Sequence, residues 1–250
     1  MKVISMFNLK GGVAKTVSSV NISTILALKG KKVLLIDNDP QANSCINLGI
    51  ASDKNEGIFE LLSEPQKSIK EVILKTLTNE NLDIIPSAMR YFDIGKRLSH
   101  ELNPYVVLKK KLKEIENEYD YVIIDNHPSK STMSLNGLVA SDEVLVPITP
   151  DNFAIEGLSY LFDTINEVIE ELNPNLKIKG AFITRYKNTN LCKEVRSYLK
   201  SAIPTQMFDT VIRDTTKVGE STTGEVLAIY SKKATATLDY YDLVKEIFEL

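Results

Sequence analysis

The sequence predicts an α/β fold: a mostly parallel, twisted sheet with helices on both faces. Two observations predict it. Short β-branched or aliphatic runs recur at wide spacing, at Val3–Phe7, Val33–Ile36, Leu82–Ile85, Tyr121–Ile124, Glu143–Pro147 and Ile178–Thr184. Such continuous apolar runs suit strands buried on both sides. Stretches with helical apolar spacing lie between them, so strand and helix alternate. No internal repeat, low-complexity tract or Pro/Gly/Ser linker interrupts the 250 residues, so one domain over 1–250 is expected.

Taken in order, the first strand runs straight into a Gly-rich turn, and a helix with Val20, Leu26 and Leu28 on its apolar stripe follows, ending before Gly30. The second strand leads into Asp37-Asn38-Asp39-Pro40. Residues 51–75 and 87–104 are the least legible. A helix is expected over Val106–Ile115, another over Leu158–Leu172 ahead of Pro174, and a terminal one over Leu238–Leu250. That last segment sets Asp239, Asp242, Glu246 and Glu249 against Lys245 alone, so its polar face is acidic and Leu243 and Ile247 are expected in the core. In sheets of this class, ligands bind beyond the carboxyl ends of the strands.

Composition narrows the function. Hydrophobic residues make up 43% and charged residues 25%, which excludes disordered, collagenous and coiled-coil chains. Cys45 and Cys192 have no C-x-x-C spacing, which argues against a disulfide scaffold or zinc site and for a cytoplasmic protein. No apolar run reaches the ~18 residues of a membrane span. Charge is segregated: residues 176–233 carry 11 Lys and Arg against 5 Asp and Glu, leaving 19 against 28 elsewhere. A basic segment on an acidic chain suits a surface facing a polyanion, or simply a solvated face.

The chemistry is carried by Lys10-Gly11-Gly12-Val13-Ala14-Lys15-Thr16 between strand and helix. Glycines there let backbone N–H groups approach phosphate oxygens, and the helix N-terminus adds its positive end. Lys15 can reach the β- and γ-phosphates and Thr16 can bind Mg²⁺. The ordinary G-x-x-x-x-G-K-[ST] pattern is not met, because Leu9 and Ala14 occupy its glycine positions. The form K-G-G-x-x-K-[ST] is. Asp125 closes an apolar strand and fits the carboxylate that meets the metal through a water; Asp37 and Asp39 share a strand face or begin a loop that rearranges with nucleotide.

These residues, with Leu34–Gln41, Tyr119–Asp125, Ala154–Leu158, Val211–Arg213 and Glu220-Ser221, resemble the deviant Walker A ATPases, specifically the ParA/Soj partition proteins of the MinD/ParA superfamily. The resemblance implies a slow, Mg²⁺-dependent ATPase. Phosphates would be held by Lys10, Gly11, Gly12, Val13, Ala14, Lys15, Thr16 and Val17, with Ile212 and Arg213 near the base. Asp39 would position the attacking water, and Asp37 would lie near the metal shell of Thr16 and Asp125. Lys10 would reach the partner's nucleotide in an ATP-dependent homodimer, a cation supplied in trans. Three departures stand out. Ala14 replaces a glycine, so the loop must take a conformation an L-residue tolerates. Val17 replaces a threonine, at about 0.5–1.5 kcal/mol for the lost hydrogen bond. Asn126-His127 replaces a Cys-Pro step, and His127 could act as a general base or is a solvated loop residue.

The resemblance further implies a cytoplasmic, nucleoid-associated protein that binds DNA non-specifically in its ATP state and is stimulated by a ParB-like partner. Lys187, Lys193, Arg196, Lys200, Arg213 and Lys217 could neutralise phosphates without reading bases. Only nine residues precede Lys10, so no N-terminal DNA-reading extension is expected. The alternatives are a MinD-like membrane-associated ATPase, which needs a basic amphipathic terminal helix, and a nucleotide-binding regulator with little turnover. An iron–sulfur reductase would need a cysteine context that Cys45 and Cys192 do not offer.

Overall fold

The computed structural model describes all residues except 152–153, 204–206 and 222–223, together with the side chains of 52 and 154–156. Eight strands form one sheet: β1 (Lys2–Met6), β2 (Val33–Asn38), β3 (Leu74–Lys75), β4 (Leu82–Ile85), β5 (Tyr121–Asn126), β6 (Glu143–Ile148), β7 (Lys177–Tyr186) and β8 (Met207–Arg213). Their order is β3-β4-β2-β5-β1-β6-β7-β8, and every pairing is parallel except the short β3 edge. All six expected strands are present, and β3 and β8 are additional.

Alternation along the strands divides the core. Ile4, Met6, Val33, Leu35 and Ile123 face a layer made of α1 (Lys15–Leu28), α2 (Asn43–Asn47), α11 (Leu227–Tyr230) and α12 (Thr235–Phe248). Val3, Leu34, Ile36, Val122 and Ile124 face the opposite layer of α3 (Ile58–Ser63), α4 (Ile69–Val72), α5 (Ile94–Arg97), α6 (Val107–Leu112) and α7 (Thr132–Ala140). Beyond α7 that layer continues through α8 (Ala154–Glu171) and α9 (Asn190–Ala202), which pack on β6 and β7. The last short helix, α10 (Thr216–Glu220), follows β8. Leu243 and Ile247 of α12 are buried, as the acidic polar face led one to expect. Among the described residues no helix is long and apolar enough to cross a membrane.

The register sets the site. Asp37 of β2 lies opposite Asp125 of β5, and Asn38 lies opposite Asn126. Met6, the last residue of β1, is also opposite Asp125. The loop of residues 7–14 therefore leaves the sheet directly beside two strand-end carboxylates.

Candidate nucleotide-binding site

A cleft of about 670 Å³ opens at this end of the sheet. Gly11, Gly12, Ala14, Lys15, Thr16 and Val17 form its floor, Asp39, Gln41, Asn43 and Asn47 one wall, and Arg185, Asp214, Thr215, Thr216, Val218 and Gly219 the other. Gly12 has φ +75°, and a Cβ on either Gly11 or Gly12 would meet nothing within 4 Å, so the loop backbone faces open space. Ala14, the N-cap of α1, takes the left-handed conformation at φ 61°, ψ 29°. The missing glycine has not been avoided; the loop keeps a glycine-type backbone with alanine in it, at a strain of about 1–2 kcal/mol. Val13 is buried beneath the floor, its carbonyl accepting the Thr184 hydroxyl at 3.0 Å.

Lys15 turns back along the loop, its ammonium donating to the Lys10 carbonyl at 2.9 Å. Burial lowers its pKa to about 8, opposed by the charges of Asp125 and Asp39. Asp125 is fully enclosed: its Oδ1 accepts from the Ser19 hydroxyl at 3.3 Å and its Oδ2 from Ser44 at 2.9 Å. Asp37 accepts the Cys45 and Asp39 backbone N–H groups at 3.0 and 3.3 Å. Both carboxyls lie above the usual range. Burial is the main cause for each, with the Asp125 charge adding to the rise of Asp37, and a hydrogen bond with Thr16 opposing the rise of Asp125. The strand ends at Asn38, so Asp37 belongs to the strand and Asp39 begins the loop, where its Oδ1 accepts the Gln41 N–H at 2.9 Å.

Lys10 does not line the cleft. Its ammonium is bound to both oxygens of Asp151 at 2.7 and 2.6 Å, and Lys10 lines a separate pocket with Asn8, Val13 and Thr149. Ile212 and Arg213, expected beside the base, do not line it either. Strand alternation buries Ile212 against α12, and Arg213 is held by the Asp239 carboxylate. The wall at that place is instead the loop two to three residues onward, Asp214 to Thr216, and Arg185, a lining residue that sequence reasoning missed. Reading β8 as a strand would have pointed to its carboxyl end. The echo at Ala154–Glu156 falls on side chains outside the described residues.

The residues fit a magnesium nucleotide. The Thr215 hydroxyl on the cleft wall is buried and has no hydrogen-bond partner among the described residues, as a wall that receives a polar ligand would. Two enclosed carboxyls facing each other with their charged forms disfavoured are a cation-deficient arrangement. Among the described residues no three His, Cys, Asp or Glu side chains converge into a metal cage. Mg²⁺ takes one or two protein oxygens and completes its shell with water and phosphate.

The predicted basic residues fall into two groups. Lys193, Arg196 and Lys200 share one face of α9, flanking the buried stripe of Cys192, Val195 and Leu199, with Lys187 in the preceding loop. Arg196 also donates to the Asp209 carbonyl, Lys200 pairs with Asp209, and Lys187 with Asp214. Arg213 and Lys217 lie apart, around β8 and α10, Lys217 bound to Glu220.

Residues 1–178 match the AAA domain family. The chain is 36% identical over 98% of its length, and 98% of the relative's, to the sporulation initiation inhibitor protein Soj of Bacillus subtilis. The chain belongs to the ParA/Soj family of ATPases. It is also 35% identical to the chromosome-partitioning ATPase Soj of Treponema pallidum, over 98% of this chain and 96% of that one. The fold is similar to that of cobyrinic acid a,c-diamide synthase from Mycobacterium smegmatis with bound ATP analogue and magnesium, at TM-score 0.90, 26% identity and coverage of 100% and 94% of the two chains.

Proposed function

We propose that this ParA/Soj-family ATPase is an ATP-dependent dimerising switch for DNA partition. It would bind DNA without sequence preference in its ATP state and release it after hydrolysis stimulated by a ParB-like partner. One ATPase unit would span the chain. The observation that carries the reading is the division of labour between the two loop lysines. Lys15 is buried in the floor of its own cleft, whereas Lys10 does not line that cleft and holds Asp151 with its side chain 37% exposed, where a second subunit could reach it.

In this mechanism the backbone of Gly11 to Thr16 and Lys15 hold the triphosphate. Thr16 and Asp125 would hold Mg²⁺, Asp125 through a water, with Asp37 behind it; the ion would supply charge neutralisation for the phosphoryl transfer. Asp39 orients the attacking water from the loop, and the partner's Lys10 supplies the second cation on the γ-phosphate. Since that contact exists only across the dimer, ATP stabilises the dimer and hydrolysis releases it, by linkage. Lys187, Lys193, Arg196 and Lys200 offer one group of cations for DNA phosphates, with Arg213 and Lys217 as a second, separate group.

Retention on random-sequence duplex DNA with ATP, ADP or no nucleotide, repeated as salt rises, tests this reading. Binding confined to ATP and falling steeply with salt is expected. Equal binding in all three states, or none in any, contradicts it.

A further inference from the structure

Behind the carboxylates, on the opposite face of the sheet, runs a buried chain of hydrogen bonds in a single sense. The Tyr91 hydroxyl donates to Asn38 Oδ1 at 2.7 Å, and Asn38 Nδ2 donates to Asn126 Oδ1 at 2.8 Å. Asn126 Nδ2 donates to Ser5 Oγ at 3.0 Å. Ser5 Oγ lies 2.8 Å from Ser141 Oγ, which itself donates to the Gly137 carbonyl at 2.8 Å, so Ser5 is the donor to Ser141. Asn38, Tyr91, Asn126, Ser5 and Ser141 are all at most 3% exposed. Each amide uses its oxygen toward Tyr91 and its NH₂ away from it, an arrangement in which every bond polarises the next. Space has been kept for it: a Cβ on Gly137 would stand 2.1 Å from Asn126 Oδ1.

The chain's position gives it a task. Asn38 sits between Asp37 and Asp39, and Asn126 follows Asp125, so the amide pair fixes the two strand ends that carry all three carboxylates. Its outer end, Tyr91, belongs to a 3-10 turn, Met89–Asp93, that touches both loops as well. Met89 Sδ accepts from Gln41 Nε2 at 3.8 Å, and the Phe92 ring meets His127 edge-on with centroids 6.0 Å apart. Met89 and Phe92 are 58% and 49% exposed.

We propose that Tyr91, Asn38 and Asn126 are positioning residues that tie the surface turn Met89–Asp93 to the Asp39 and Asp125 loops and so govern turnover rather than nucleotide affinity. The kinetic half rests on the ATPase reading above; the structural half does not. Removing one hydroxyl, Tyr91→Phe, leaves the buried Asn38 oxygen without its donor while keeping the ring in place. Amide hydrogen exchange in peptides covering residues 39–43 and 127–131 is then expected to accelerate at least about fivefold, as one buried unpaired acceptor warrants, with β6 unchanged. Tyr119→Phe, which removes a hydroxyl bound to Asp83 at the other end of the sheet, is expected to leave both loops unchanged. In the same preparations turnover should fall several-fold with the nucleotide dissociation constant within about twofold. Asn38→Leu, which keeps the branched shape without the polar atoms, should act alike, and adding Tyr91→Phe to it should change nothing further.

Unchanged exchange at the two loops, or equal acceleration across the whole chain, overturns the relay. So do additive effects of the two substitutions. Wild-type turnover in the same assay reads the ATPase proposal separately: absent turnover refutes that proposal while the exchange data still decide the relay.

Discussion

Ala14 is the most direct test of how this phosphate loop is built. At φ 61° it occupies a region in which an L-residue is strained by about 1–2 kcal/mol and glycine is not. Glycine would loosen the unfolded chain by about 0.5–1 kcal/mol, so Ala14→Gly should stabilise the protein by about 0.5–1 kcal/mol net. Glycine is also the better N-cap, which acts in the same direction. For 250 residues, unfolding entropy near ~2.1 cal/mol/K per residue converts 1 kcal/mol to about 2 °C, so the melting temperature should rise by about 1–2 °C. The matching control is Gly12→Ala. At φ +75°, with open space around the new Cβ, it carries the backbone strain alone and should lower the melting temperature by about 1–2 °C. Calorimetry without nucleotide reads both. A lower melting temperature for Ala14→Gly, or none of the expected loss for Gly12→Ala, would refute the left-handed loop.

Three further outcomes follow from the site. Asp39→Ala should keep nucleotide affinity within a few-fold and accumulate an ATP-bound dimer, read by sedimentation and phosphate release. Replacing Lys193, Arg196 and Lys200 together by alanine removes three phosphate contacts, so the slope of log affinity for DNA against log salt should flatten by about 2.7. ATPase activity without DNA should not change. Lys15, lowered to about 8 by burial, grips phosphate only when charged, and a bound triphosphate raises its pKa. Nucleotide uptake then takes up a proton above pH 8, so affinity should be flat near pH 7 and fall by up to about tenfold per unit as pH rises past 8, measured by titration with a fluorescent ATP analogue.

Much of this was readable from the residues. Continuous runs such as Val33–Ile36 and Tyr121–Ile124 announce central parallel strands because both faces are buried. β8 escaped notice because, at the sheet edge, only Phe208 and Ile212 of its seven residues are buried and it carries Asp209 and Thr210. Residues 51–75 and 87–104 hold one-turn helices and 3-10 turns, too short for a periodic signal, although Ser68 and Glu71 do form a capping box. The phosphate loop was legible because its chemistry is local. The facing of Asp37 and Asp125, the Asn38–Asn126 pair and the far cleft wall at Arg185 and Thr215 depend on strand register, which joins residues distant in the chain. The expectation for Ile212 and Arg213 missed for a related reason. A resemblance located the loop to within three residues, but the pleat decides which side chains reach the cleft.

The account turns on Lys10 acting across the dimer, and complementation tests it most directly. Lys10→Ala and Asp39→Ala should each bind ATP and fail to turn it over. When the two are mixed before nucleotide is added, each heterodimer has one site with an intact Asp39 and the partner subunit's intact lysine. Random pairing then restores about one quarter of wild-type turnover, if the lysine is supplied in trans. Turnover that stays at the level of the single variants, in a mixture shown to form heterodimers, would mean that Lys10 serves its own cleft and would contradict the switch.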